Sequence, residues 1–229
     1  MFKIITQTDD FVVVAKSAGI NFHDEENPGE GLFSQVKKQL KQRYSDAELY
    51  PIHRLDKMTS GLVLFAKNLK SAQIFSKMFE GHQVEKYYLA ISDKKPTKKQ
   101  GWIKGDMKKS RRGMFKLLRS MNNPAVTQFF SFSLGNKQRL YLLKPHSGKT
   151  HQLRVALSSI GAPILGDPLY NSNSVADRGY LHAYALRFNF LGKIYQYTLP
   201  CDEGEYYLAP NVKNRLTELE QPWMLAWPS

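Results

Sequence analysis

Two short stretches of this chain gather side chains that can do chemistry. The first is His53-Arg54-Leu55-Asp56-Lys57-Met58-Thr59-Ser60-Gly61, which sets one carboxylate between two cations in a turn leading into the apolar run that starts at Leu62. A carboxylate so placed can act as base or nucleophile, or it can simply fix the turn as an ion-paired residue. The second is His146-Ser147-Gly148-Lys149-Thr150-His151-Gln152-Leu153-Arg154, a turn feeding the start of a helix. There Arg154 lies one turn from Thr150 and beside the inward Leu153, which buries it in part. A buried arginine requires a partner. Two polar clusters of this kind favour a site over two unrelated structural turns.

Other chemical devices are missing from the sequence. No glycine-rich loop has the spacing of a phosphate cradle, and no G-x-S-x-G elbow is present. The six histidines form no H-E-x-x-H pair and, with Cys201 the only cysteine, lack sulfur support for a zinc site. The expectation is chemistry with no metal and no cofactor.

The elements that must hold these clusters are legible from periodicity. Phe2–Thr6 and Phe11–Lys16 read as a hairpin, and Leu32–Arg43 as a helix with Phe33, Val36 and Leu40 inward. Gly61–Lys67 reads as a buried strand, Ser71–Phe79 as a helix, and Lys86–Ser92 as a strand. Thr127–Leu134 and Arg139–Leu143 pair about Gly135 and Asn136, while Leu181–Phe190 and Ile194–Leu199 pair about Gly192. Thr150–Ile160 fits a helix stopped by Gly161 and Pro163. Recurrent hairpins with few helices indicate an α+β fold on a largely antiparallel sheet.

The chain has 229 residues and 33 Lys and Arg against 20 Asp and Glu, a net charge of +13 that favours a polyanionic partner. Between Asp93 and Arg119 eleven basic residues face two aspartates, so this stretch carries +9 of the total. Trp102, Met107, Met114, Phe115, Leu117 and Leu118 interrupt it, which indicates a strand and a structured hairpin rather than a tail. From Pro200 onward the balance is −3. A lone cysteine, no signal-like N-terminus and no long apolar run point to a cytoplasmic protein with no membrane partner.

His53–Lys67 (HRLDKMTSGLVLFAK), Lys86–Ala90 (KYYLA), Gly148–Val155 (GKTHQLRV) and Gly161–Tyr170 (GAPILGDPLY) together resemble the ordered motifs of the RluA family of pseudouridine synthases. The resemblance runs from about Phe2 to Leu199. It implies the pseudouridine synthase fold, a mixed and largely antiparallel sheet flanked by helices with a central active-site cleft. It also implies an isomerase acting on structured RNA (tRNA or ribosomal RNA) that breaks the N1–C1′ bond of a uridine, turns the base and joins C5 to C1′. By the same resemblance Asp56 is the essential aspartate, Arg154 the arginine that pairs with it, and Tyr88 the tyrosine that stacks on the uracil. Leu153 lines the pocket wall, Lys86 lies near the site, and Arg54 fills the place of the flipped base.

Lys149 stands where the family motif usually has Arg, which keeps the charge but not the bidentate fork, and Ala156 replaces the usual His. An S4-type RNA-binding domain is not expected, so 1–229 reads as one catalytic domain, acting as a monomer. A noncatalytic RNA-binding or RNA-folding protein on the same scaffold is the alternative, and the presence of both Asp56 and Arg154 weighs against it.

Overall fold

The computed structural model describes residues 1–25, 27–43 and 45–228. Its residues group by contact into two compact units, Met1–Val84 and Glu85–Ser229.

In the first unit β1 (Phe2–Gln7) and β2 (Phe11–Lys16) form the expected hairpin. A helix, α1 (Leu32–Arg43), follows, then the two-residue β3 (Tyr50–Pro51), β4 (Ser60–Ala66) and the helix α2 (Leu69–Glu80). The strand order is β1-β2-β4-β3, antiparallel throughout. Every residue of β4 is buried, as a continuous apolar run requires. The inward stripe of α1 is Leu32, Val36 and Leu40, spaced by four, and Phe33 sits half-buried at its margin against Phe65. α2 starts two residues earlier than its apolar pattern suggests, because the Asn68 side chain accepts the Ser71 N–H at 2.8 Å as an N-cap.

The second unit contains β5 (Glu85–Ser92), β6 (Gln100–Gly105), the short β7 (Met107–Lys109) and β8 (Phe115–Leu117), β9 (Ala125–Gly135) and β10 (Gln138–Pro145). It continues with α3 (Gln152–Ser159), β11 (Leu181–Phe190), β12 (Lys193–Thr198), α4 (Glu205–Leu208) and α5 (Pro210–Thr217). Six strands pair antiparallel in the order β12-β11-β5-β10-β9-β6, while β7 and β8 form a separate hairpin. The β9–β10 connection places Asn136 and Lys137 both at positive φ, the conformation a tight two-residue hairpin demands.

Two departures from the sequence reading have physical causes. The helix expected over Thr150–Ile160 begins only at Gln152, because His151 takes a left-handed conformation with φ 57° and turns the chain at that point. The acidic C-terminal stretch, for which periodicity gave no element, folds into α4, α5 and a turn at Pro222–Met224. It packs through buried Tyr207, Val212, Leu216 and Leu219, and sets Trp227 5.0 Å from Phe130 and 5.7 Å from Tyr87.

Candidate active site

Asp56 lies in the turn before β4, half-buried, with Arg54 and Lys57 exposed on either side of it. The turn closes when the Asp56 carbonyl accepts the Thr59 N–H at 3.0 Å. Behind it stands Lys16, only 2% exposed, whose ammonium donates to the carbonyls of Ser17, Lys57 and Thr59 at 3.0, 3.2 and 2.7 Å. Burying an ammonium is costly unless its protons are taken up, so these carbonyls and Lys16 fix one another. Upstream, His53 Nε2 accepts the Leu64 N–H at 3.0 Å and its ring stacks on Phe79, which ties the start of the motif to β4 and α2. His53 is thus a hydrogen-bonding core histidine. Lys16 is the residue that sequence reasoning missed here, since a lysine ending an apolar strand reads as solvated.

Arg154 is buried on α3 and bonds Asp167 in a bidentate fork, Nε to Oδ2 at 2.8 Å and Nη2 to Oδ1 at 2.9 Å. Asp167 is fully buried, and its Oδ1 also accepts the N–H groups of Leu169 and Tyr170 at 2.9 and 3.1 Å. The carboxylate therefore orients the guanidinium and closes its own turn. The close approach that shapes this turn requires Gly166, where a Cβ would stand 1.9 Å from the Arg178 carbonyl oxygen. Asp167 was visible only as part of the Gly161–Tyr170 motif; its bond to Arg154 depends on tertiary folding and left no local signal.

The turn before α3 is held from β9. Gln152 Oε1 accepts from Ser147 Oγ at 2.7 Å and from the Lys149 N–H at 3.0 Å, while its Nε2 donates to the Val126 carbonyl and to Thr127 Oγ1. Leu153, 7% exposed, begins the buried face of α3. Lys149 Nζ donates to Asn123 Oδ1 at 2.7 Å, so the lysine that replaces the usual arginine makes a single ordering contact to the loop before β9.

Tyr88 is 9% exposed in β5, opposite Leu143 of β10 and Ala183 of β11. The β11 register slips between Ala183 and Ala185 against Tyr88 and Tyr87, a bulge of the kind that re-aims strand side chains. Alternation puts Lys86 on the same face as Tyr88 and Tyr87 on the other. Tyr87 meets Trp223, Trp227 and Lys144 there, in keeping with a packing role. Burial holds the Lys86 ammonium below its ordinary pKa, unlike a solvated strand-end lysine. β5 and the Asp167 turn share a framework, because the Leu165 N–H donates to the Ile91 carbonyl at 2.8 Å.

All eleven basic residues between Lys94 and Arg119 are exposed. They run through the segment before β6, β6 itself and the β7–β8 hairpin. Asp106 anchors that hairpin: its carboxylate accepts the Asn122 and Asn123 N–H groups at 3.0 and 2.7 Å, and its backbone bonds Ser120 and Leu118. The Ser120 hydroxyl, with those two N–H groups, holds the Asp106 carboxyl below its ordinary pKa. Among the described residues no helix is long and apolar enough to cross a membrane.

Residues 10–159 match the family model described as RNA pseudouridylate synthase. The chain belongs to that family. This pseudouridylate synthase is 46% identical over 211 residues to an uncharacterized RNA pseudouridine synthase of Haemophilus influenzae, with 92% of each chain covered. It is 31% identical over 188 residues to the ribosomal large subunit pseudouridine synthase C of Rickettsia bellii, covering 79% of this chain and 61% of that one. Among solved structures, human RNA pseudouridylate synthase domain containing 4 superposes with a TM-score of 0.72 at 25% identity, over 93% of this chain and 92% of that one. The synthase is therefore an isomerase of uridine in RNA on the α+β fold its motifs imply. Arg54, Asp56, Lys86, Tyr88, Lys149, Leu153 and Arg154 all fall inside the matched span, whereas Asp167 and Tyr170 lie beyond it.

Proposed function

We propose that Asp56 is the catalytic carboxylate of this pseudouridine synthase. In this reading it acts at the ribose, either attacking C1′ or removing the C2′ proton, so that the N1–C1′ bond breaks. The uracil turns, C5 bonds to C1′ as the Asp56–C1′ bond breaks or the C2′ proton is returned, the C5 proton leaves to solvent and N1 takes up a proton. Arg154 is the partner that orients the aspartate, Tyr88 the ring against the uracil, and Leu153 the apolar wall. Lys86 contributes positive charge near the base, Arg54 occupies the place of the flipped nucleotide, and Lys149 orders the loop before β9. The observation that carries the reading is the turn itself: a carboxylate between exposed cations, with its backbone locked from behind by the buried ammonium of Lys16.

Its substrate is structured RNA, acted on by a monomer in the cytoplasm. The relatives named for the large ribosomal subunit put ribosomal RNA ahead of tRNA. The exposed basic stretch supplies sequence-independent phosphate contacts. Mapping pseudouridine in ribosomal RNA and tRNA from cells with and without this protein tests the assignment. A single ribosomal uridine that loses modification, and regains it with wild type but not with Asp56→Asn, is expected. Loss confined to tRNA would overturn the substrate class, and no lost site would overturn the activity.

A further inference from the structure

The β7–β8 hairpin is a basic arm that its own residues cannot hold in place. Each strand has three residues, and the register sets Lys108 directly opposite Lys116. Two strands of that length are not stable alone, and opposed like charges weaken the pair further. Alternation divides the arm into two faces. Lys108 and Lys116 share the face turned to solvent, while Phe115 shares the other with Met107, Lys109 and Leu117.

Beyond the Asp106 anchor at its base, the arm docks through that second face. The Phe115 ring lies edge-on to His151 at 5.7 Å, and the Phe115 N–H donates to the Tyr170 hydroxyl at 2.8 Å. The same hydroxyl is 3.2 Å from His151 Nδ1. The other parts of Tyr170 face the buried ion pair: its backbone N–H donates to Asp167 Oδ1 at 3.1 Å, and the Arg154 guanidinium lies over its ring at 5.2 Å. His151, which completes the contact, is held at a positive φ immediately before α3. One tyrosine thus joins an exposed arm to a buried arginine.

We propose that Tyr170 is a positioning residue that couples phosphate contact on the basic arm to the orientation of Arg154. Phosphate between Lys108 and Lys116 relieves their repulsion and stiffens the arm. The stiffened arm presses Phe115 onto His151 and Tyr170, and the ring of Tyr170 then fixes the guanidinium. Full activity thereby waits on RNA engagement. The proposal rests on the role given to Arg154 above.

The test uses oligo(A), which offers phosphate but no uridine, and follows the Arg154 Nε–H resonance in the full chain. In wild type, oligo(A) is expected to shift that resonance. In Tyr170→Phe, oligo(A) is expected to bind within twofold of wild type with the same salt dependence, yet leave the resonance unmoved. On a uridine-containing substrate at saturating RNA, single-turnover rate should fall about tenfold in Tyr170→Phe. An unmoved resonance in wild type would overturn the coupling, as would a Tyr170→Phe defect confined to RNA affinity. Because oligo(A) cannot react, the resonance result stands apart from whether Asp56 proves catalytic, which the Asp56→Asn variant decides.

Discussion

Lys16 and Lys116 are the same residue type in opposite circumstances. Lys16 is 2% exposed and spends its protons on the carbonyls of Ser17, Lys57 and Thr59. Lys116 is exposed and faces Lys108 across a three-residue strand pair. A buried ammonium with fixed acceptors holds a backbone to one conformation. An exposed one among like charges holds nothing and attracts whatever anion arrives. Arg154 and the basic residues from Lys94 to Arg119 repeat the contrast, the first forked onto Asp167 and the others open to solvent. Most of the charge evident in the composition belongs to the second class, while the residues assigned to chemistry are supported by the first.

Breaking a member of the buried class should cost most. Asp167→Ala leaves Arg154 without the carboxylate that orients it, and the loss expected for an uncompensated buried charge is about 3–5 kcal/mol in urea denaturation. A change near zero would show that the fork contributes no net stability.

Buried His182 sharpens the contrast through pH. Burial, aided by the positive charge of Arg178, holds its pKa down to about 4 from 6.5, and outweighs the Leu199 carbonyl, 2.8 Å from Nε2, which favours the protonated ring. The folded chain therefore keeps the neutral ring while the unfolded chain takes up the proton. This contribution is complete above pH about 6.5 and is lost as pH falls toward 4, some 3 kcal/mol in all. His182→Gln should flatten the stability profile in that window, measured by urea melts at successive pH values; an unchanged slope would assign it to other groups.

Lys16→Met should destabilise by about 1–3 kcal/mol through the carbonyls it leaves unsatisfied. Single-turnover rate should fall at least tenfold at unchanged RNA affinity, because the Asp56 turn loses its support. A loss of affinity alone would move Lys16 into the binding class.

The smallest effect on the fold belongs to the exposed class. Changing Lys94, Lys95, Lys98 and Lys99 together to Gln should leave stability within about 0.5 kcal/mol. The slope of log K against log salt for RNA binding should drop by up to about 3. An unaltered slope would take this segment out of the interface.

How much of this was legible in the sequence depended on distance along the chain. The Asp56 turn and the Leu153–Arg154 helix face are each written in a few consecutive residues, and turn chemistry or periodicity found them; periodicity found β5 as a strand, whereas Tyr88 was singled out on it by the motif resemblance. The basic hairpin was legible too, since aromatic and aliphatic residues interrupt its lysines. What escaped was the choice of partner for buried charge. Lys16 lies 43 residues from the Thr59 carbonyl it meets, and Asp167 lies 13 from Arg154. No local pattern marks either one. His151 escaped because a single left-handed residue leaves no trace in the apolar periodicity, and histidine there looks like ordinary helix. The C-terminal helices escaped because short, acidic segments gain their structure from the core they cover.

The central claim is that chemistry resides in the Asp56 turn and RNA affinity resides elsewhere. Asp56→Asn tests it when tritium release from C5-labelled uridine in RNA and RNA binding are measured on the same protein. The expected result is loss of release by a factor of at least about a thousand (about 4 kcal/mol in barrier), with affinity and salt dependence unchanged. Retained release, or release lost only in step with binding, would contradict it.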